Sequence, residues 1–134
     1  MKLSSKSVTA IKMFIDLGEH YNEGYSTLVD IASRKDISRK FLEQIIPLYR
    51  NSGLLTVTRG NQGGYKLSKA PNQITLKDII YITETGLSKF ESTDQAIDKV
   101  LDKIDNLLSD YLESITLEKL IEQEIESYSN NYYI

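Results

Sequence analysis

Arg39, Lys40, Glu43 and Gln44 recur at spacings that place them on one side of a helix, and all four carry side chains able to read hydrogen-bonding edges. Arg and Lys pair with guanine, Gln with adenine and Glu with cytosine, so the set has the chemistry of major-groove readout in double-stranded DNA. Twenty residues beyond Arg39, the run Arg59-Gly60-Asn61-Gln62-Gly63-Gly64-Tyr65 sets a guanidinium at a glycine-rich tip. Such a tip brings a cation into a minor groove, where narrow A·T tracts concentrate negative potential. Lys2, Lys6 and Ser38 supply donors for phosphate oxygens, which position a protein on a duplex without reading its sequence. A polar helix face is equally a solvated surface, and hairpin turns are glycine-rich for steric reasons alone. Arg59 and the order of the two elements favour nucleic acid.

The elements that must hold these residues are legible in the periodicity. Val8, Ile11, Met13, Phe14, Ile15 and Leu17 predict a first helix over 5–21, loosened or ended by Gly18 and the Asn22-Glu23-Gly24 region. Thr27-Leu28-Val29-Asp30 has the form of a capping box and opens a short second helix that stops near Asp36. Ser38 caps a third, with Phe41, Leu42, Ile45 and Ile46 as its core stripe, until Pro47 removes a backbone donor. Leu54–Arg59 and Tyr65–Lys69 alternate like strands about the glycine turn. Two short helices with a tight turn, followed by a hairpin, give the order of a winged helix-turn-helix.

Beyond Pro71, Thr75-Leu76-Lys77-Asp78 is a second capping box, opening a helix that ends around Gly86. Residues 87–91 read as a linker. Ser92-Thr93-Asp94-Gln95 then restarts a helix with Ile97, Leu101, Ile104, Leu108, Tyr111 and Ile115 spaced as a heptad seam. An arm of this length exposes a large apolar stripe, so it predicts pairing with a second copy, a homodimer. Thr116 caps a last helix through Leu117, Leu120, Ile121 and Ile125. The expected organisation is a winged-helix domain over 1–86, a linker and dimerisation helices over 87–128, and a tail over 129–134. The fold class is mainly α with a small β-hairpin wing and a long C-terminal dimerisation helix.

Composition narrows the function. The chain of 134 residues has no cysteine and one histidine, His20, which removes disulfides, thiolate nucleophiles and cysteine-held metal centres and argues against an enzyme. No cofactor is expected. Apolar stretches are short and broken by charge, which predicts neither membrane span nor signal segment, hence a cytoplasmic protein without a membrane partner. Residues 1–70 carry 11 Lys/Arg against 6 Asp/Glu, and 71–134 carry 5 against 13. A basic half facing phosphate, with an acidic half turned away, is consistent with the DNA reading.

On these residues the chain resembles the Rrf2 family of bacterial winged-helix transcriptional regulators over nearly its whole length. Met1-Lys2-Leu3-Ser4-Ser5-Lys6 is similar to the family's opening and Phe41-Leu42-Glu43-Gln44 to its recognition helix. Arg50-Asn51-Ser52-Gly53-Leu54 is similar to its helix-to-wing turn, and Arg59 to Tyr65 to its wing. The resemblance implies base reading by Glu43 and Gln44 and a wing contact by Arg59, Gly63 and Gly64. Two departures stand out. Residues 87–95 lack the three cysteines that hold an iron–sulfur cluster in the cluster-sensing members, and Ser7-Val8-Thr9 replaces the usual small-Arg-Tyr triplet. Thr116-Leu117-Glu118-Lys119-Leu120 and the terminal Tyr132-Tyr133-Ile134 are similar to the branch of the cysteine-metabolism repressor. That branch implies a repressor of cysteine and sulfur genes whose partner is cysteine synthase, an enzyme whose cleft accepts peptides ending in an isoleucine carboxylate. Two alternatives stay open: a small effector near Tyr81 or Phe90, or a winged-helix interaction module without DNA.

Overall fold

Threonine and serine caps set where α-helices of this chain begin. Thr27 accepts from Asp30 N at 3.1 Å while the Asp30 carboxylate accepts from Thr27 N at 3.0 Å. Thr75 and Asp78 repeat the arrangement, and Ser38 accepts from Phe41 N. Each reciprocal pair satisfies two donors that a helix start otherwise leaves open. The hydrogen bonds from Thr27 also hold the Asp30 carboxyl below the usual range.

In a computed structural model of the chain, residues 2–60, 63–84 and 94–132 are described, with side chains through 129. The helices are α1 (Ser5–Glu19), α2 (Leu28–Lys35), α3 (Arg39–Ile45), α4 (Leu76–Thr83), α5 (Gln95–Ser114) and α6 (Leu117–Tyr132). A hairpin of β1 (Leu55–Val57) and β2 (Tyr65–Leu67) stands between α3 and α4, antiparallel, with Leu55 opposite Leu67 and Val57 opposite Tyr65. Mainly helical with a two-stranded wing, this is the fold class read from the sequence. The strands are shorter than the alternation predicts, and Pro47 does not stop the chain's helical course. It begins a 3-10 turn over Ile46–Tyr49, because a proline near a helix start loses no bonded N–H.

The core lies under α1. Ala10, Met13, Phe14 and Leu17 are buried with Ile31, Leu42, Ile45, Tyr49, Ile74 and Ile79. Phe14 meets Tyr49 edge to face at 5.0 Å between ring centres, a geometry favoured by the ring quadrupoles. Tyr49 Oη donates to the Ile79 carbonyl at 2.7 Å, and burial pushes its phenol up to about 12. Val8, expected on the apolar face, is exposed instead. Ser7 occupies the buried place beside it.

Gly18 differs most from the sequence reading. It sits inside α1, and a β-carbon there would lie 2.6 Å from Ile121 Cδ1 and 3.4 Å from Leu117 Cδ2. The missing side chain is the seat for α6, which folds back onto α1 and buries Leu117 completely. The turn between α5 and α6 is fixed on both sides: Leu76 N donates to the Ile115 carbonyl and Leu117 N to the Ile74 carbonyl, both at 2.8 Å. The long arm is thereby bonded to the start of α4, and α6 continues through Tyr132, into the stretch read as a tail.

At the other end of α4 the Glu84 carboxylate sits over the start of α1. It accepts from Ser4 N, from the Ser4 hydroxyl and, in the shortest contact, from the buried Ser7 hydroxyl, which also shares a 2.7 Å bond with Thr83. Hydrogen bonding from Ser7, the largest influence, holds the Glu84 carboxyl below its usual 4.5. A depressed folded-state value means stability that is present above 4.5 and lost as the pH falls through the lower folded value. Glu84→Gln is therefore expected to lower stability most near neutrality, where the carboxylate's contribution is fully present, and least in acid, so that the dependence of stability on pH below 4.5 flattens. Urea unfolding at pH 3 and pH 7 checks this, and an unchanged acid limb would refute it.

Candidate nucleic-acid interface

Residues 38–50 form one continuous helical segment whose two sides have separate tasks. Leu42, Ile45, Ile46 and Tyr49 are buried, whereas Ser38, Arg39, Lys40, Glu43, Gln44, Pro47 and Arg50 are exposed. The apolar side fixes the helix on the core beneath α1 and α2, and the polar side is left available to a ligand. Ser38 spends its oxygen on the Phe41 amide as the helix cap, and its hydroxyl hydrogen remains free to donate to a phosphate.

The wing carries Arg59 and Gly60 in exposed positions, while Asn61 lies outside the described residues. Gly60 adopts φ +115°, a conformation that L side chains rarely take. The hairpin closes with Thr58 N donating to Gly64 O at 3.0 Å and Gly63 N to Gly60 O at 2.9 Å. Gly64 is buried, and a β-carbon on it would stand 2.6 Å from the Ser26 carbonyl oxygen. Its task in this fold is to seat the wing on the chain leading into α2, where Ser26 and Tyr65 exchange backbone hydrogen bonds of 2.8 and 2.7 Å. Gly64→Ala is expected to cost about 2–4 kcal/mol, as a clash against backbone that cannot move aside. Thermal melting of that variant checks this, with Gly60→Asn, which has open space at its β-position, as the milder comparison.

Glu43, Ile46, Pro47 and Arg50 come from the helical segment, and Leu55, Val57, Arg59 and Tyr65 from the wing; together they line one groove of about 510 Å³. The base-reading candidate Glu43 and the wing guanidinium of Arg59 thus share one concavity, though the sequence separates them by sixteen positions. Arg50, missed in the sequence reading, belongs there too. Its signal was its place two helical turns after Glu43, hidden by the proline between them.

An ion pair that the sequence does not announce is linked to the wing through Ser26. Asp16 of α1 is buried, and Arg34 of α2 grips it with two parallel bonds, Nε to Oδ1 at 2.9 Å and Nη2 to Oδ2 at 2.8 Å. The same Nη2 donates to Ser26 Oγ at 2.7 Å. Hydrogen bonding to Asp16 raises the Arg34 value further. One guanidinium therefore ties α1, α2 and the strand-like segment that carries the wing. Lys2 and Lys6, at the start of α1, are exposed and lie at the opposite end of that helix from the ion pair.

On α5 the outward face is offset from the seam read in the sequence. Ile97, Val100, Ile104, Leu107 and Tyr111 are 49, 60, 46, 61 and 64 % exposed. Leu101 and Leu108 are half-buried, Leu112 is buried, and the helix packs against α4. Ile115 lies past the helix end in extended backbone, its carbonyl bonded to Leu76. The unpartnered stripe is 97, 100, 104, 107 and 111. Of the remaining sequence candidates, Tyr133, Ile134, Phe90 and the expected linker lie outside the described residues, and Tyr132 is the last residue of α6. Tyr81 packs beneath Lys77, whose Nζ is 5.5 Å from the ring centre.

Among the described residues no group of three or more His, Cys, Asp and Glu is placed to hold a metal, and no helix is long and apolar enough to cross a membrane. With no cysteine anywhere, the donor set does not fit a thiolate-held cluster.

Comparison with known proteins matches this geometry. The Rrf2 profile, described as an iron-dependent transcriptional regulator, matches residues 3–123. The HTH-type transcriptional regulator CymR of Bacillus subtilis is 34% identical over 123 residues, covering 90% of this chain and 89% of its own. IscR of Pectobacterium carotovorum is 31% identical over 130 residues, covering 90% and 79%. The solved structure of CymR, the global cysteine regulator of B. subtilis, superposes with a TM-score of 0.79 at 32% identity, over 92% of this chain and 98% of that one. T. potens IscR superposes at 0.78 and 35%, over 95% and 90%. These relatives are regulators and not enzymes, and the family implies DNA binding by a dimer. With its helix-turn-helix, its wing and matches that run from end to end of the fold, this chain belongs to the Rrf2 family of transcriptional regulators.

Proposed function

We propose that two copies of this chain pair along α5 and bind an inverted-repeat operator as a repressor. The carrying observation is the shared groove: a recognition-helix carboxylate, Glu43, and a wing guanidinium, Arg59, face one concavity on an exposed surface. Arg39, Lys40, Glu43 and Gln44 read base edges; Lys2, Lys6 and Ser38 hold phosphates; Arg59, Gly60, Asn61 and Gly63 form the wing contact, with Gly64 and Tyr65 seating it. Twofold symmetry sets two recognition helices about 34 Å apart, so the half-sites fall one helical turn apart or a multiple of it.

Selection from random duplexes at fixed salt tests the reading, and a palindrome is the expected winner. Glu43→Ala is expected to relax preference at one base pair per half-site, costing about 1–3 kcal/mol there. Arg59→Ala weakens binding and lowers its dependence on salt. Enrichment of no symmetric sequence, with the dimer intact, would leave an interaction module in its place.

The finer reading is control of cysteine or sulfur genes through cysteine synthase. It is supported by the likeness to CymR and by the aliphatic and aromatic segment Tyr132-Tyr133-Ile134. A chain end of this composition can thread a cleft by ordering on binding. Capture of cysteine synthase by the full chain, lost on deletion of 132–134, is the expected outcome; equal capture by the truncated chain removes the tail from the mechanism.

A further inference from the structure

The groove between α3 and the wing has more chemistry than base reading uses. Its floor is apolar: Ile46 and Leu55 are buried beneath it, and Pro47, Val57 and Tyr65 form its sides. Its charged residues are Arg50, Arg59 and Glu43, a net charge of +1. Among the described residues neither guanidinium is within ion-pairing distance of a carboxylate, whereas Arg34 of α2 is engaged by Asp16 and Ser26. Val57 is half exposed, although it is a β-branched residue in a paired strand facing this hollow. DNA approaches such a surface with phosphates and base edges, which leave an apolar floor unsatisfied. A molecule that covers Ile46, Leu55 and Val57 while giving one negative charge to an arginine uses both halves of the groove.

We infer that this groove is an effector site for a small organic monoanion with an apolar body, such as a medium-chain or aromatic carboxylate, whose binding excludes DNA. The volume of about 510 Å³ lies within the usual range for small-molecule sites. Charge selects the class: two exposed guanidiniums repel a cationic ligand and disfavour a neutral one, which displaces their water without supplying an anion, whereas one carboxylate replaces that water with a charge-assisted bond. Exclusion of DNA follows from position, since Glu43 and Arg59 belong to both occupants; this half of the inference rests on the DNA reading, and the binding half does not.

The test uses the full chain with octanoate and phenylacetate as probes, and octanamide and phenylacetamide as neutral isosteres. In methyl-resolved NMR the carboxylates are expected to shift Ile46, Leu55 and Val57 and to leave the core methyls of Ile31 and Ile79 unmoved. Arg50→Gln should weaken carboxylate binding about tenfold, the loss of one charge-assisted contact, and Arg50→Lys should recover part of it. Val57→Asp, at a half-exposed position, should abolish it by like charge, with unchanged core methyl shifts of Ile31 and Ile79 showing that the variant is folded. A second measurement follows displacement of a fluorescent operator duplex by the same probes. Equal shifts from the amides, or shifts outside the groove, overturn the site. Displacement by inorganic phosphate or chloride as strong as by octanoate at matched ionic strength overturns specific exclusion, since it reports screening alone. If the chain binds no duplex before any probe is added, the DNA reading fails while the methyl shifts still decide the groove.

Discussion

Replacing Arg34 by methionine lowers the melting temperature by roughly 10–15 °C, the largest stability loss expected of a substitution on this surface. The aliphatic stem is kept, so the change isolates the charge. Asp16 is left buried without its cation, its side chain only 1% exposed. Breaking one partner of such a pair costs about 3–5 kcal/mol, and the partial exposure of Arg34 places this case at the lower end. Ser26 loses its donor in the same step, so the backbone exchange between Ser26 and Tyr65 loosens and the wing with it. Calorimetry gives the first readout. The double variant Asp16→Asn, Arg34→Met gives the second: it should recover part of the loss, because no charge is left buried. A single variant that melts within about 2 °C of the parent would show that the pair is not the tie proposed here.

Leu107→Glu is expected to convert the protein to a monomer at micromolar concentration and to lower operator affinity roughly a hundredfold or more. Leu107 lies near the centre of the exposed stripe on α5, and twofold pairing brings a carboxylate from each copy into an apolar contact. Its folded chain should keep its melting enthalpy per monomer, since Leu107 touches solvent and not the core. Leu108→Glu makes the contrast. That residue faces the protein's own side of α5, so the substitution disturbs packing near α4 more than assembly. Light scattering and operator titration separate the two. If Leu108→Glu dissociates the pair and Leu107→Glu does not, the seam runs along 101, 104 and 108 as the heptad spacing suggests.

The difference between those two positions shows where sequence pattern reaches its limit. On α5 both 97, 101, 104, 108, 111 and 97, 100, 104, 107, 111 satisfy steps of three and four, because Val100, Leu101, Leu107 and Leu108 are all apolar. The two share 97, 104 and 111 and differ only in that Leu101 and Leu108 are half-buried while Val100 and Leu107 face outward, and periodicity contains no information about where α4 lies. Gly18 illustrates the same limit. A glycine within a helical pattern usually reads as an interruption, and only the return of α6 shows that the absent side chain is a docking surface.

Local chemistry was sufficient elsewhere. The caps at Thr27, Ser38 and Thr75, the hairpin about Gly60 and Gly63, and the polar face of α3 depend on interactions within a few residues, so sequence order alone determined them. The tertiary structure decided what joins distant segments: Asp16 with Arg34 and Ser26, Ser7 with Glu84, Arg50 and Glu43 with Arg59 across the groove. The physical reason is range. Capping and alternation are set by bonds and steric contacts along the chain, whereas charge pairing and burial depend on which helix faces which. That choice is made by the whole core at once.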